Sequence, residues 1–223
     1  MLLAIENVLT SEELAGAREL FEKARFVDGR VTAGELAAKV KNNLQLPANA
    51  AETQVLTDIV HDALHCNPLF VSAALPKVIC PPLFNRYVPG MDFGIHVDNA
   101  IRVGATTFRT DVSGTLFLSE PEEYEGGELV IEDTYGVQTI KLPAGSLVLY
   151  PSSSLHRVEP ITGGHRDVGV FWVQSMIRDV AQRSLLFQLD AGIQSLRARA
   201  PESPEIVPLV ATYHNLLRMW ADI

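Results

Sequence analysis

A chain of 223 residues, 47% of them hydrophobic, can bury a sizeable core, which excludes intrinsic disorder. Its 18 basic and 27 acidic side chains leave a formal net charge of −9, the wrong sign for nucleic-acid backbones or anionic membrane surfaces, so neither is an expected partner. The two cysteines, Cys66 and Cys80, are too few for a disulfide framework and predict a reducing, cytoplasmic setting.

The opening MLLAIENVLTSEE lacks the basic region and small-residue cleavage site of a signal peptide. No later stretch supplies the ~18 consecutive apolar residues of a membrane span, so a soluble protein is expected. Thr10 and Glu13 have capping-box spacing and Leu9 and Leu14 occupy staple positions, which starts a helix at Thr10. Leu14, Ala17, Leu20, Phe21 and Ala24 keep helical period up to the turn signal Asp28-Gly29. A second helix is expected from Thr53 to His65, ending before Asn67-Pro68. Residues 1–78 therefore read as a mainly helical part that packs on a core.

From Leu83 the texture changes to short β-rich runs: LFNRYV, TLFLS, GELVIED, VQTIKL, SLVLY and RDVGVFWVQ. Pro89-Gly90, Gly126-Gly127, Tyr135-Gly136, Pro143-Ala144-Gly145 and Gly163-Gly164 punctuate them. Many short strands with Gly/Pro turns predict an antiparallel barrel or jelly roll over residues 79–177 rather than an alternating α/β sheet. After Gln174, Leu186, Leu189, Ile193 and Leu196, then Leu209, Tyr213, Leu216 and Trp220, return to helical spacing. Ser203-Pro204 reads as an N-cap followed by proline at the first helical position. Residues 178–223 are thus a C-terminal helical extension, whose apolar stripes either cap the barrel or join a second copy in a homo-oligomer. The fold class is α+β.

In Gly94-Ile95-His96-Val97-Asp98-Asn99, His96 and Asp98 are two apart and would share one face of a strand, where an imidazole and a carboxylate can grip one metal. A hydrogen-bonded pair with no metal has the same spacing. His156, after the strand in LVLYPSSSLHRVEP, would complete a two-His, one-carboxylate facial triad of the kind that binds non-haem Fe(II) and leaves positions open. Arg166 follows ten residues later, on what reads as the next strand, and a guanidinium buried in a barrel needs an anion, with a fork that matches a carboxylate. Asn99, Arg102, Arg109 and Asp111 either line a substrate entrance or form a surface ion network, and Trp172 reads as core on the Arg166 face. His61 and His65 mimic a zincin spacing, but Asp62 stands where that motif needs the longer Glu, so they read as helix-surface residues, as do His165 and His214 as ordinary polar residues.

The H-x-D segment, the distal His156 and the basic Arg166 together resemble the Fe(II)/2-oxoglutarate-dependent dioxygenases of the prolyl-4-hydroxylase superfamily. Longer stretches, among them VDGRVTAG, KNNLQL, SAALPKVICPPLFNRYVPGMDFGIHVDNAIR, YEGGELVIEDTYG and KLPAGSLVLYPSSSLHRV, resemble the PKHD-type hydroxylases of bacteria, a group associated with iron uptake. Ser146 after the PAG turn, and Thr162-Gly163-Gly164-His165 before Arg166, depart from that pattern and spare the four key positions.

The resemblance implies a double-stranded β-helix core, a small-molecule or peptide substrate, Fe(II), 2-oxoglutarate and O₂, with ascorbate as a further ligand. It implies His96, Asp98 and His156 as iron ligands, Arg166 as the anchor of the far 2-oxoglutarate carboxylate, and Tyr87 as a hydroxyl donor to that carboxylate unless it is a core tyrosine bonded to backbone. Two rival readings are an iron-occupancy sensor without turnover and a cupin-like isomerase or cofactor-free dioxygenase. Neither needs a buried guanidinium at Arg166.

Overall fold

The computed structural model describes residues 1–103, 107–133 and 136–223. In the N-terminal part, strands β1 (Leu3–Ile5), β2 (Val27–Asp28), β3 (Lys41–Asn42), β4 (Leu44–Gln45) and β5 (Pro76–Ile79) interleave with helices α1 (Ser11–Lys23), α2 (Glu35–Ala38), α3 (Ala51–Cys66) and α4 (Pro68–Ala74). Then come β6 (Leu83–Tyr87), β7 (Asp92–His96), β8 (Ile101–Arg102), β9 (Phe108–Arg109), β10 (Val112–Phe117), β11 (Tyr124–Gly126), β12 (Leu129–Asp133) and β13 (Gly136–Ile140). Strands β14 (Leu147–Pro151), β15 (Leu155–Val158), β16 (Ile161–Gly164) and β17 (Arg166–Ser175) complete the β part, and α5 (Val180–Arg199) and α6 (Ile206–Trp220) follow.

The larger sheet runs β1-β14-β10-β17-β6-β4-β2 with β5 added beside β17, and the smaller runs β13-β12-β15-β7-β3. Period-2 alternation sorts the apolar residues of the larger sheet onto two sides. Leu147, Leu149, Leu116, Phe84 and Phe171 meet Phe21, Leu56, Val60, Leu64 and Phe70 from the helices. Tyr87, Phe117, Val148, Tyr150 and Val168 instead meet Leu129, Ile131, Ile140 and Val158 of the smaller sheet. Two antiparallel sheets thus face each other as the expected jelly roll, with α1, α3 and α4 buttressing one outer side. Strand β10, between β14 and β17, is buried along its whole length. Its Gly114 faces the Phe171 ring so closely that a Cβ would stand 2.5 Å from it.

Local signals hold where local physics decides. Thr10 and Glu13 form the capping box that starts α1, an arrangement that contributes about 1 kcal/mol. The Asn67 carboxamide accepts from the Phe70 N–H at 2.9 Å, so Asn67-Pro68 ends α3 and also caps α4. The N-terminal part contributes strands to both sheets as well as helices. Three expectations are corrected. α6 begins at Ile206 with Glu205 as its cap, and Ser203 bonds the Glu205 carboxylate within the preceding turn. Asp98 lies past the end of β7, not within it, and β16 intervenes between the His156 and Arg166 strands. Tyr135 of the expected Tyr135-Gly136 turn lies outside the described residues.

Candidate active site

His96 ends β7 and His156 sits on β15, and the antiparallel pairing of these strands sets the two residues directly opposite each other. Their ring centroids are 4.2 Å apart, and His156 Nε2 lies 3.9 Å from Asp98 Oδ2. The potential ligand atoms of His96, Asp98 and His156 all lie within 4.8 Å of one another, so the three could hold one metal ion.

Their surroundings decide which atoms are free. His96 Nδ1 is 2.9 Å from the Gly94 carbonyl and His156 Nδ1 is 3.0 Å from the Ser154 carbonyl. A carbonyl only accepts, so both Nδ1 atoms donate to the backbone and Nε2 is the atom that each ring can offer a metal. Burial, reinforced by the neighbouring His156, lowers His96 to about 4 and keeps it in the neutral form a metal accepts. Phe93 stacks on the His96 ring with centroids 3.7 Å apart, locking its plane. The Ser113 hydroxyl donates to Asp98 Oδ2 at 2.6 Å and pairs with the Ser152 hydroxyl at 2.8 Å. Ser113 has one proton to give, so Ser152 supplies the proton of the second bond.

Arg166 opens β17 opposite Tyr87 of β6 and is only 1% exposed. Its guanidinium carbon lies 5.3 Å from the Tyr87 ring centre and 5.4 Å from that of Phe117. Its Nε is buried with no hydrogen-bond partner, and among the described residues no carboxylate lies within ion-pair distance. A guanidinium in this state has given up water without receiving an anion, and a ligand carboxylate would repair that. Gly127, with φ at +68°, makes room for the Arg166 side chain: a Cβ there would press on Ile161 at 2.2 Å and on Arg166 Cδ at 3.1 Å. Tyr87 is buried beside it, and burial raises its hydroxyl pKa while the Arg166 charge opposes the rise.

One cavity joins these groups, with His96, Asp98, His156, Tyr87 and Arg166 on its wall. The four flanking polar residues divide. Asn99 and Arg102 line the cavity, whereas Arg109 closes on Asp111 at 2.7 Å, and Asp111 accepts from the Ser175 N–H at 2.9 Å. Trp172 is buried and also lines the cavity, with the Arg102 guanidinium 4.0 Å above its ring.

Lys41 was not foreseen. It is 6% exposed, reaches Gln45 Oε1 at 3.2 Å and Thr32 Oγ1 at 3.4 Å, and lines the same cavity. Burial, with the Arg102 charge adding to it, lowers its pKa to about 8. Nothing in its local sequence marks it, because β3 acquires its place by pairing with β7. Ser113 was missed for the same reason: it reaches Asp98 from another strand.

Glu22, His165 and Asp167 form a second cluster with ligand-like spacing, but Arg86 binds both of its carboxylates, at 2.8 Å to Glu22 and 2.7 Å to Asp167. His61 is half-buried and His65 exposed on α3, where His65 Nδ1 bonds the His61 carbonyl at 2.7 Å. Among the described residues no helix is long and apolar enough to cross a membrane.

Residues 82–174 match the 2OG-Fe(II) oxygenase superfamily and residues 181–222 match the PKHD-type hydroxylase C-terminal domain. A PKHD-type hydroxylase of Methylobacillus flagellatus is 57% identical over 226 residues, and one of Saccharophagus degradans is 57% identical over 225, each match covering 100% of both chains. A prolyl-4-hydroxylase of Pseudomonas putida shares the fold with a TM-score of 0.53 at 19% identity, covering 78% of this chain and 92% of that one. The HygX protein of Streptomyces hygroscopicus, solved with nickel, 2-oxoglutarate and hygromycin B, has a TM-score of 0.55 at 14% identity, covering 79% and 84%. Relatives this similar over their full length establish that the chain belongs to the PKHD-type hydroxylases, 2-oxoglutarate-dependent dioxygenases of the 2OG-Fe(II) oxygenase superfamily.

Proposed function

We propose that His96, Asp98 and His156 hold Fe(II), that Arg166 and Tyr87 receive the far carboxylate of 2-oxoglutarate, and that the enzyme hydroxylates a C–H bond of a small-molecule or peptide substrate. The observation that carries this is Arg166, a buried guanidinium without an anion on the wall that also bears the ligand group. The donor set fits the metal: two imidazoles that present Nε2 and one carboxylate suit ferrous iron and leave coordination positions open. When bound, Fe(II) and 2-oxoglutarate supply the O₂-dependent oxidation that yields succinate, CO₂ and a hydroxylated product.

The chain's own residues do the rest. The Gly94 and Ser154 carbonyls hold the two Nδ1 protons, so each imidazole presents the same atom in every encounter. Ser113 fixes the Asp98 carboxylate. Arg166 gives 2-oxoglutarate a single orientation through a bidentate fork, with the Tyr87 hydroxyl as a further donor. Phe93, Phe117 and Tyr150 keep water from the walls around these groups.

Ascorbate is the accessory reductant of this reading, the protein works in the cytoplasm, and its activity serves iron uptake. Anaerobic Fe(II) with 2-oxoglutarate should give the weak visible charge-transfer band of the chelate in the parent and none in Asp98→Ala, and air should then yield succinate. Metal binding without succinate would make the protein an iron-occupancy sensor instead. Withholding ascorbate should lower the succinate yield. Comparing metabolites and protein modifications with and without the protein under low iron tests the iron-uptake role.

A further inference from the structure

Three cationic side chains line the cavity, Lys41, Arg102 and Arg166, and the reading above employs only the last. Fe(II), the Asp98 carboxylate, the 2-oxoglutarate dianion and the Arg166 guanidinium cancel one another in charge. Lys41 and Arg102 are left over. Among the described residues neither is within ion-pair distance of a carboxylate. Asp28, the nearest acidic influence on Lys41, is bonded to Arg30 at 2.9 and 3.0 Å.

Lys41 is buried and Arg102 half-buried. Lys41 Nζ has exchanged water for two neutral oxygens, Gln45 Oε1 and Thr32 Oγ1, with the Phe93 ring centre 5.7 Å away. The Arg102 guanidinium stands 4.0 Å from the Trp172 ring centre and beside the Cys80 thiol, so its partners in the chain are a ring face and a neutral sulfur, not an anion. Trp172 Nε1 is itself buried without a partner. Keeping two like charges in one cavity costs free energy, as the depressed Lys41 ammonium registers. That cost is recovered only when an anion arrives.

Position separates this pair from the 2-oxoglutarate end. Trp172 is six residues beyond Arg166 on β17, so the two backbone positions are about 20 Å apart along the strand. A short dicarboxylate held by Arg166 cannot also satisfy an arginine stacked on Trp172. Lys41 lies opposite Phe93, whose ring stacks on His96, and so stands beside the metal-ligand group.

Resting on the iron and 2-oxoglutarate assignment, we infer that the substrate of this enzyme carries a carboxylate or an equivalent anion, received by Lys41 and Arg102 on the side of the cavity away from Arg166. Recognition of this kind sets specificity, because a neutral analogue leaves two cations unpaired.

The probes are benzoate against benzamide and hippurate against hippuramide, titrated calorimetrically into the anaerobic enzyme with Fe(II) and saturating 2-oxoglutarate. The charge-transfer band is recorded first for every form, so that its absence in the parent signals failure of the iron assignment and not of this one. With the band present, each acid should bind the parent more tightly than its amide by about tenfold or more. In Lys41→Met and Arg102→Gln the preference should fall to within about threefold. Lys41→Met retains side-chain volume, removes a buried charge, and leaves Gln45 Oε1 bonded to the Thr32 hydroxyl at 2.7 Å, so the fold should persist. Arg102→Gln, at a half-buried position, reads the same preference independently. Amides that bind as well as acids, acids that do not bind, or a preference surviving in both variants would overturn the inference.

Discussion

Arg86 and Arg166 occupy neighbouring steps of the β6–β17 pairing, where Asp167 stands opposite Arg86 and Arg166 opposite Tyr87. Alternation turns them to opposite sides of the larger sheet. On one side Arg86 holds Asp167 through two bonds, 2.8 and 2.7 Å, and also reaches Glu22, so its charge is satisfied within the chain. On the other side Arg166 is more deeply buried, stands 5.3 and 5.4 Å from the Tyr87 and Phe117 ring centres, and among the described residues has no carboxylate within ion-pair distance. The two metal-like clusters repeat the contrast: the carboxylates of Glu22 and Asp167 are already taken by Arg86, while Asp98 accepts from the neutral Ser113 hydroxyl and, among the described residues, has no lysine or arginine within ion-pair distance. A charge closed inside the chain serves the fold, and a buried charge left open awaits a ligand.

The largest expected effect breaks that contrast at its centre. His96→Ala, Asp98→Ala and His156→Ala should each abolish Fe(II)-dependent succinate formation, whereas Glu22→Ala and His165→Ala should retain it. Turnover and iron titration surviving in the first three would move the metal elsewhere. Next, Arg166→Ala should raise the 2-oxoglutarate requirement roughly 30-fold to several thousand-fold while iron binding persists, with Arg166→Lys recovering part of it. Arg86→Ala should do the reverse, leaving 2-oxoglutarate dependence alone and costing about 1–3 kcal/mol in urea unfolding, because Asp167 is left buried and unpaired.

Lys41 sharpens the comparison through pH. Its folded pKa is lowered from 10.5 to about 8, so between those values the unfolded chain holds a proton that the native state has released. Stability in the absence of ligand should therefore rise from pH 8 to 10.5, by up to roughly 3 kcal/mol, and lose that component in Lys41→Met. Denaturant titrations across this window, corrected for the remaining lysines by the variant, measure it, and parallel curves would remove Lys41 from the open-charge class. Ser113→Ala, which frees Asp98 to turn, should weaken metal binding by about 10- to 100-fold without removing it. An unchanged titration would make the serine pair a packing feature.

The smallest effect concerns assembly. Tyr213, Leu216, Leu217 and Trp220 of α6 pack against Leu75, Ile177 and Leu186, yet Val207 and Met219 remain exposed. We expect a homodimer in which α6 covers α6, so that removing residues 203–223 yields a smaller sedimenting species still able to bind Fe(II). A parent that sediments as a monomer would assign α6 to capping its own core.

What the sequence by itself determined is what short-range chemistry controls. The Thr10 capping box, the Asn67-Pro68 break, the β-rich runs of β6, β14 and β17 and the helical stripes of α5 and α6 depend on neighbours within a few residues, and each was legible. The residue types at His96, Asp98, His156 and Arg166, in their order and spacing, were legible too, because the chemistry they suit tolerates few substitutes.

Tertiary structure alone decided that His156 faces His96 across a strand pair, that Ser113 steadies Asp98 and that Lys41 enters the cavity from an edge strand. It also separated Arg102, stacked on Trp172, from Arg109, closed on Asp111, although the two arginines lie on the adjacent strands β8 and β9 with the same residue chemistry. These outcomes depend on which strands pair and in what register. Register is set by burial summed over two whole sheets, a quantity that no stretch of neighbouring residues contains.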